Sequence, residues 1–176
     1  GKHVRDACLK TLKDLQLDYL DLYMIHWPVA FEFNGLDLTQ QSNWMKPNDN
    51  PNNSIIKAKL ANIPIRETWA EMEKLVDEGL VKRIGVSNFS VQSLLDLLTY
   101  ARIKPVINQI EVHPYLNQSA LIDFSREIAD VKIVGFSPFG SGRLPNILQD
   151  EKLIEIAQKY NRSVAQVILR WNTQRG

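Results

Sequence analysis

The chain has 176 residues, 44% of them hydrophobic and 23% charged, with a net charge of +1. This length supports one domain with a real core, and the balance is ordinary for a globular protein. It excludes the basic excess that marks binding to nucleic acid or an anionic membrane, and no apolar stretch approaches the roughly 20 residues that span a bilayer.

Residues 3–15 read as a helix, with Val4, Ala7, Cys8, Leu12 and Leu15 on one face and Lys10, Lys13 and Asp14 opposite. His3 lies in this helix and is expected to be solvated. Cys8 is the only cysteine, so it forms no internal disulfide. It reads as a small core residue in a reducing, cytoplasmic setting. The chain turns at Asp18-Tyr19 into a first strand, Leu20 to His26, nearly all apolar, as a strand covered on both faces must be.

Residues 28–62 form a long polar insertion, with turn chemistry at nearly every position from Pro47 to Asn53. Its place just after His26 points to a lid over a substrate pocket, with Phe31 and Phe33 best placed to reach a substrate. Pro64 opens a helix whose buried stripe is Ile65, Trp69, Met72, Leu75 and Val76, closed by Gly79. The second strand runs from Lys82 to Asn88. Ser90 caps the next helix, with Leu94, Leu95, Leu97 and Leu98 on its apolar side. The third strand is Val106 to Glu111. Asn117 caps a helix running to about Ala129, and Val131 to Ser137 is the fourth strand. Asp150 caps a helix through Ala157, and Ser163 with Gln166 forms a capping box for the last one, through Trp171.

Alternation of this kind means parallel strands joined by helical crossovers. A doubly wound sheet fits the order too, but no strand is followed by the Gly-x-Gly-x-x-Gly fingerprint of a dinucleotide-binding sheet. Each strand instead ends in polar or site-type residues: His26-Trp27, Ser87-Asn88, Gln109 with Glu111, and Phe136-Ser137. A parallel β/α barrel collects its active site at this rim. The chain is short of the about 250 residues of a complete barrel and reads as a part of one, cut at both ends.

The strand-end residues suggest a chemistry. His26 offers an imidazole to orient or protonate a substrate oxygen, and Trp27 an apolar wall with one N–H. Ser87, Asn88 and Gln109 supply a hydroxyl and two amides, suited to a neutral carboxamide. Phe136 offers a ring to stack on a flat ligand. Ser137, Gly140 and Ser141, on a tight loop, offer hydroxyls and backbone N–H groups to a phosphate. Together they describe a nicotinamide site. No metal site is expected, because the histidines are scattered and no His-x-x-x-His or Cys-x-x-Cys spacing exists. No Gly-x-Ser-x-Gly elbow supports a hydrolase. Asp18 and Asp21 lie at the wrong strand end to pair with Glu111 as glycosidase carboxylates. His113 reads as structural.

Five segments together resemble the aldo-keto reductases, in the aldose and xylose reductase branch. They are Leu-Asp-Tyr-Leu-Asp-Leu-Tyr-Met-Ile-His-Trp-Pro (17–28), Gly-Val-Ser-Asn-Phe (85–89), Asn-Gln-Ile-Glu-Val-His-Pro-Tyr-Leu (108–116), Phe-Ser-Pro-Phe-Gly-Ser (136–141) and Leu-Arg-Trp-Asn-Thr-Gln-Arg-Gly (169–176). The resemblance implies a (β/α)8 barrel, of which residues 1–176 correspond to strands four to seven. It implies reduction of aldehydes and ketones, small carbonyl substrates, with NADPH or sometimes NADH, and without metal. It makes His26 the histidine of a catalytic Asp-Tyr-Lys-His tetrad and Trp27 its pocket neighbour. Ser87, Asn88 and Gln109 become carboxamide ligands, Phe136 the stacking ring in place of the usual tyrosine, and Ser137, Phe139, Gly140 and Ser141 the pyrophosphate loop. The tetrad Asp, Tyr and Lys would lie upstream of Gly1, and the segment gripping the adenosine 2′-phosphate after Gly176. Tyr19 and Tyr23 cannot substitute and read as packing residues. The isolated chain is expected to lack reductase activity. The alternative is a non-catalytic regulatory subunit that keeps the same barrel and cofactor pocket.

Overall fold

The computed structural model describes residues 3–33, 60–142 and 146–176. Most of the insertion, 34–59, and the expectation of a lid that rests on it, lie outside the described residues. Four strands, β1 (Tyr23–Ile25), β2 (Ile84–Ser87), β3 (Ile107–Glu111) and β4 (Lys132–Phe136), form one parallel sheet in the order β1-β2-β3-β4. The helices are α1 (Val4–Leu15), α2 (Ile65–Asp77), α3 (Val91–Tyr100), α4 (Ser119–Phe124), α5 (Glu151–Lys159) and α6 (Val164–Gln174). Parallel neighbours in strict chain order, joined by crossovers of one hand, put the helices on one face of the sheet. A doubly wound sheet would carry helices on both.

That covered face holds the core. Ile84 and Val86 of β2 pack with Cys8, Leu12, Trp69, Met72, Leu75, Leu94 and Leu97, all buried. Ile110, Val112 and Ile122 form a second cluster, with Ile133 and Trp171 against it. The Trp69 indole N–H donates to the Ile103 carbonyl at 3.1 Å, which fits its expected place in the core.

Capping follows the sequence. Ser90 and Asp150 accept from Ser93 N–H and Leu153 N–H, and Ser163 with Gln166 closes a reciprocal box. Gly79, just past α2, has φ +71°, where its missing Cβ costs nothing. The expected cap at Asn117 falls one residue off: the N-cap of α4 is the left-handed Gln118, without a side-chain cap bond, and Asn117 precedes it, accepting from the Ser119 N–H at 3.1 Å. The expected helix to Ala129 is broken at Phe124; residues Ser125–Ala129 widen into a π turn.

Several expectations fail locally. The first strand pairs continuously only over Tyr23–Ile25, because Asp21 turns outward to Lys82 at 2.9 Å, leaving Leu20–Val81 as an isolated bridge. Leu95 is exposed, since residues 94 and 95 sit about 100° apart on a helix and Leu94 takes the inward position. Leu15 is exposed at the last turn of α1, beside the left-handed Gln16. Tyr19 is exposed under the Lys82 ammonium rather than packed in the core, whereas Tyr23 packs against it. His3 is not simply solvated. Its ring stacks on Phe33 at 3.6 Å between centroids, 10° from parallel.

Candidate active site

Register partners in a parallel sheet share a face, and the side chains alternate along each strand. Ile84 and Val86 face the helices, so Gly85 and Ser87 face the other way, with Met24 beside Gly85. Ser87 pairs with Gln109, Gln109 with Val134, and Glu111 with Phe136. Alternation carried one step past Ile25 puts His26 in line with Ser87. The uncovered face therefore bears His26, Ser87 and Gln109 in one layer. Glu111 and Phe136 form the next layer outward, at the C-terminal end.

Gly85 fits this face for a steric reason. A Cβ there would lie 2.9 Å from Ile107 Cγ1 and 3.2 Å from the Ile107 carbonyl oxygen. Only hydrogen leaves β2 and β3 this close.

Asn88 ties the strand ends together. Its backbone is left-handed (φ +62°), a conformation asparagine tolerates better than most residues. Its N–H donates to the Gln109 carbonyl at 2.9 Å. Its side-chain Nδ2 donates to the His26 carbonyl at 2.9 Å and to Ser87 Oγ at 3.1 Å. Ser87, only 3% exposed, donates its hydroxyl proton to the Gln109 carbonyl at 2.7 Å. Asn88 Oδ1 is left as an acceptor. The Gln109 side-chain amide bonds to none of the described residues, so both its donor and its acceptor are uncommitted there. A carboxamide needs one acceptor for its NH2 and one donor for its oxygen. The set matches, with Ser87 bracing Asn88 and Gln109 rather than spending its proton on a ligand.

Phe136 is half-buried and leads into the loop of Ser137, Pro138, Phe139, Gly140 and Ser141. Ser137, Gly140 and Ser141 all have positive φ (+49°, +73° and +51°), and the Gly140 N–H returns to the Ser137 carbonyl at 2.9 Å. That bond closes a tight turn. The Ser137 and Ser141 hydroxyls bond each other across its mouth.

His26 is exposed, and Trp27 is 37% exposed, with its ring 5.9 Å from the imidazole. Phe31 bridges Leu60, and the Ala61 N–H donates to the Ala30 carbonyl at 2.9 Å, pinning both ends of the insertion. Among the described residues no group of His, Cys, Asp and Glu is placed to hold a metal ion. A cleft of about 780 Å³ lies elsewhere, between α5, α6 and Pro114, on the helix side of the sheet. The register places no strand-end side chain in it.

The sequence places Glu111 with Gln109 at the third strand end but gives it no role there, and the register now sets it on the same face as Gln109. Period-two spacing from Gln109 was the signal available.

Residues 1–176 match the aldo/keto reductase family along their whole length. The chain belongs to the aldo/keto reductase family. It is 52% identical over 170 residues to aldose reductase C of Dictyostelium discoideum, covering 96% of this chain and 50% of that protein. It is 40% identical over 186 residues to a probable NAD(P)H-dependent D-xylose reductase of Aspergillus clavatus, covering 99% and 54%. The solved aldose reductase of Schistosoma japonicum superposes with a TM-score of 0.82 at 40% identity, over 99% of this chain and 52% of that one. The aldose reductase of Giardia lamblia gives 0.81 at 40% identity, over 97% and 53%. This aldo/keto reductase chain thus spans about half the length of the relatives it matches, and its four-stranded sheet with one-sided helices is part of a (β/α)8 barrel.

Proposed function

We propose that this chain carries the nicotinamide-binding half of an NADPH-dependent reductase of aldehydes and ketones, with aldoses among its substrates. NADH is an admissible substitute. The observation that carries this reading is the free acceptor of Asn88 Oδ1 beside the uncommitted amide of Gln109, a donor and acceptor complementary to a carboxamide. Phe136 would lie against the nicotinamide ring, and Ser137, Phe139, Gly140 and Ser141 would cradle the pyrophosphate. The phenyl ring keeps the stacking face and lacks only the hydroxyl usual at this position. When bound, the cofactor supplies a hydride to the carbonyl carbon.

His26 would bond the carbonyl oxygen and fix its direction while that oxygen takes a proton. Its main-chain position is set by Asn88, so cofactor ligand and carbonyl ligand share one brace. Trp27 and Phe31 would wall the substrate. The aspartate, tyrosine and lysine that complete the family's tetrad belong to sequence upstream of Gly1. On this reading the 176-residue chain alone turns over no aldehyde, and the reaction belongs to the full-length protein, a cytoplasmic enzyme.

The test is NADPH oxidation at 340 nm by the full-length protein against a panel of aldehydes and aldoses. Turnover that falls at least about 100-fold in His26→Ala supports the reading. Tight NADPH binding without turnover of any carbonyl would indicate a regulatory protein on the same barrel instead.

A further inference from the structure

Beyond His26 the chain leaves the sheet as a strap, residues 27–33, which carries both Trp27 and Phe31. Near its middle Phe31 bridges Leu60, and the Ala30 carbonyl accepts the Ala61 N–H at 2.9 Å. At its far end the Phe33 ring lies flat on the His3 imidazole, 3.6 Å between centroids and 10° from parallel. The imidazole stands on a fixed base. The His3 carbonyl accepts the Ala7 N–H at 3.0 Å in the first turn of α1, and Val4 packs against the main core. Phe33 is 48% exposed, so burial does little to hold its ring. The stacked face does that instead. The strap is therefore fastened at both ends: at its root Asn88 Nδ2 bonds the His26 carbonyl, and at its tip α1 takes the Phe33 ring.

We propose that the His3–Phe33 stack sets substrate preference, by holding the strap so that Phe31 stays against the apolar body of a carbonyl substrate. This rests on the reductase reading above, in which Trp27 and Phe31 wall the substrate. Without the stack the strap loses its end tether, and Phe31 keeps only the short backbone pairing to Leu60 and Ala61. A wall that must first be ordered weakens the binding of any substrate that touches it. An aldehyde too short to reach Phe31 does not sense the change. His3 and Phe33 are positioning residues: they act through the strap and touch neither cofactor nor reacting atoms.

The experiment follows NADPH oxidation by the full-length protein with a short aldehyde, propanal, and a bulky apolar one, 3-phenylpropanal, and titrates NADPH separately. His3→Ala and Phe33→Ala should each raise KM for 3-phenylpropanal about fivefold. Both should leave kcat, the propanal KM and the NADPH Kd within about twofold of wild type. The double variant should lose no more than either single one, because both remove the same contact. His3→Phe keeps a stacking ring and should retain the wild-type KM. Phe33 is half open to solvent, so its truncation spares the fold, and unchanged NADPH binding reports this. If both alanine variants keep the wild-type KM for 3-phenylpropanal, the preference assignment is overturned and the reductase reading stands. Additive losses, an equal rise for propanal, weaker NADPH binding, or a His3→Phe variant as impaired as His3→Ala overturn it too. If wild type oxidises NADPH with neither aldehyde, the reductase reading falls and this one with it.

Discussion

The side-chain amide of Asn88 donates to the backbone oxygen of His26 across 2.9 Å. This bond joins the ends of β1 and β2, residues 62 apart in the chain. It couples the group proposed to hold the carboxamide to the backbone of the group proposed to hold the carbonyl. Asn88→Ala removes both Nδ2 bonds and puts an alanine at φ +62°. The expected result in the full-length protein is a stability loss of about 1–2 kcal/mol and an NADPH Kd about tenfold higher. Urea denaturation and cofactor titration measure the two effects separately. Wild-type affinity in that variant would count against the carboxamide assignment.

Gly85→Ala tests how closely β2 and β3 approach. The added methyl meets Ile107 Cγ1 at 2.9 Å and the Ile107 carbonyl at 3.2 Å, and the carbonyl is fixed by the sheet. A loss of about 1–3 kcal/mol is expected, read from the urea midpoint. Ile107→Ala in the same chain removes Cγ1 and should rescue only the side-chain part of the clash.

Glu73 is 8% exposed, and its Oε1 accepts from the backbone N–H groups of Arg102 and Ile103 at 2.7 and 2.8 Å. It closes the chain after α3, where no helix bond remains for those donors. Glu73→Ala leaves both unpaired and should cost about 2–4 kcal/mol. Glu73→Gln keeps an acceptor and should cost less than half of that on the same denaturation curve.

Burial, reinforced by the negative charge of Asp96 and opposed by Arg66, pushes the Tyr100 phenol up to about 12. The folded chain therefore holds this proton more tightly than the unfolded chain, whose phenol titrates near 10. The resulting stability is fully present below about pH 10 and is lost as pH rises towards 12. Burial also raises Tyr23 and Cys8, which act in the same direction. Tyr100→Phe should flatten the decline in stability between pH 10 and 12. Phenolate absorbance at 295 nm should show one late-titrating tyrosine lost in that variant.

The sequence by itself determined the element order, the caps and the polar strand ends. These rest on local physics: period 3.6 against runs of β-branched residues, side-chain acceptors at Ser90, Asp150 and Ser163, and a glycine at 79. They need no distant partner to be read. Where two residues compete for one buried position, as Leu94 and Leu95 do, period alone could not choose. The stack of His3 on Phe33 was hidden for a similar reason, since thirty residues of chain separate the two rings. Only the tertiary structure decided which face each strand end presents. Register is a relation between strands, and a shift of one residue exchanges the faces. The register put Glu111 beside Phe136, and the folded chain has Ser87 giving its proton to the Gln109 carbonyl while the Asn88 Oδ1 and the Gln109 side-chain amide stay uncommitted among the described residues.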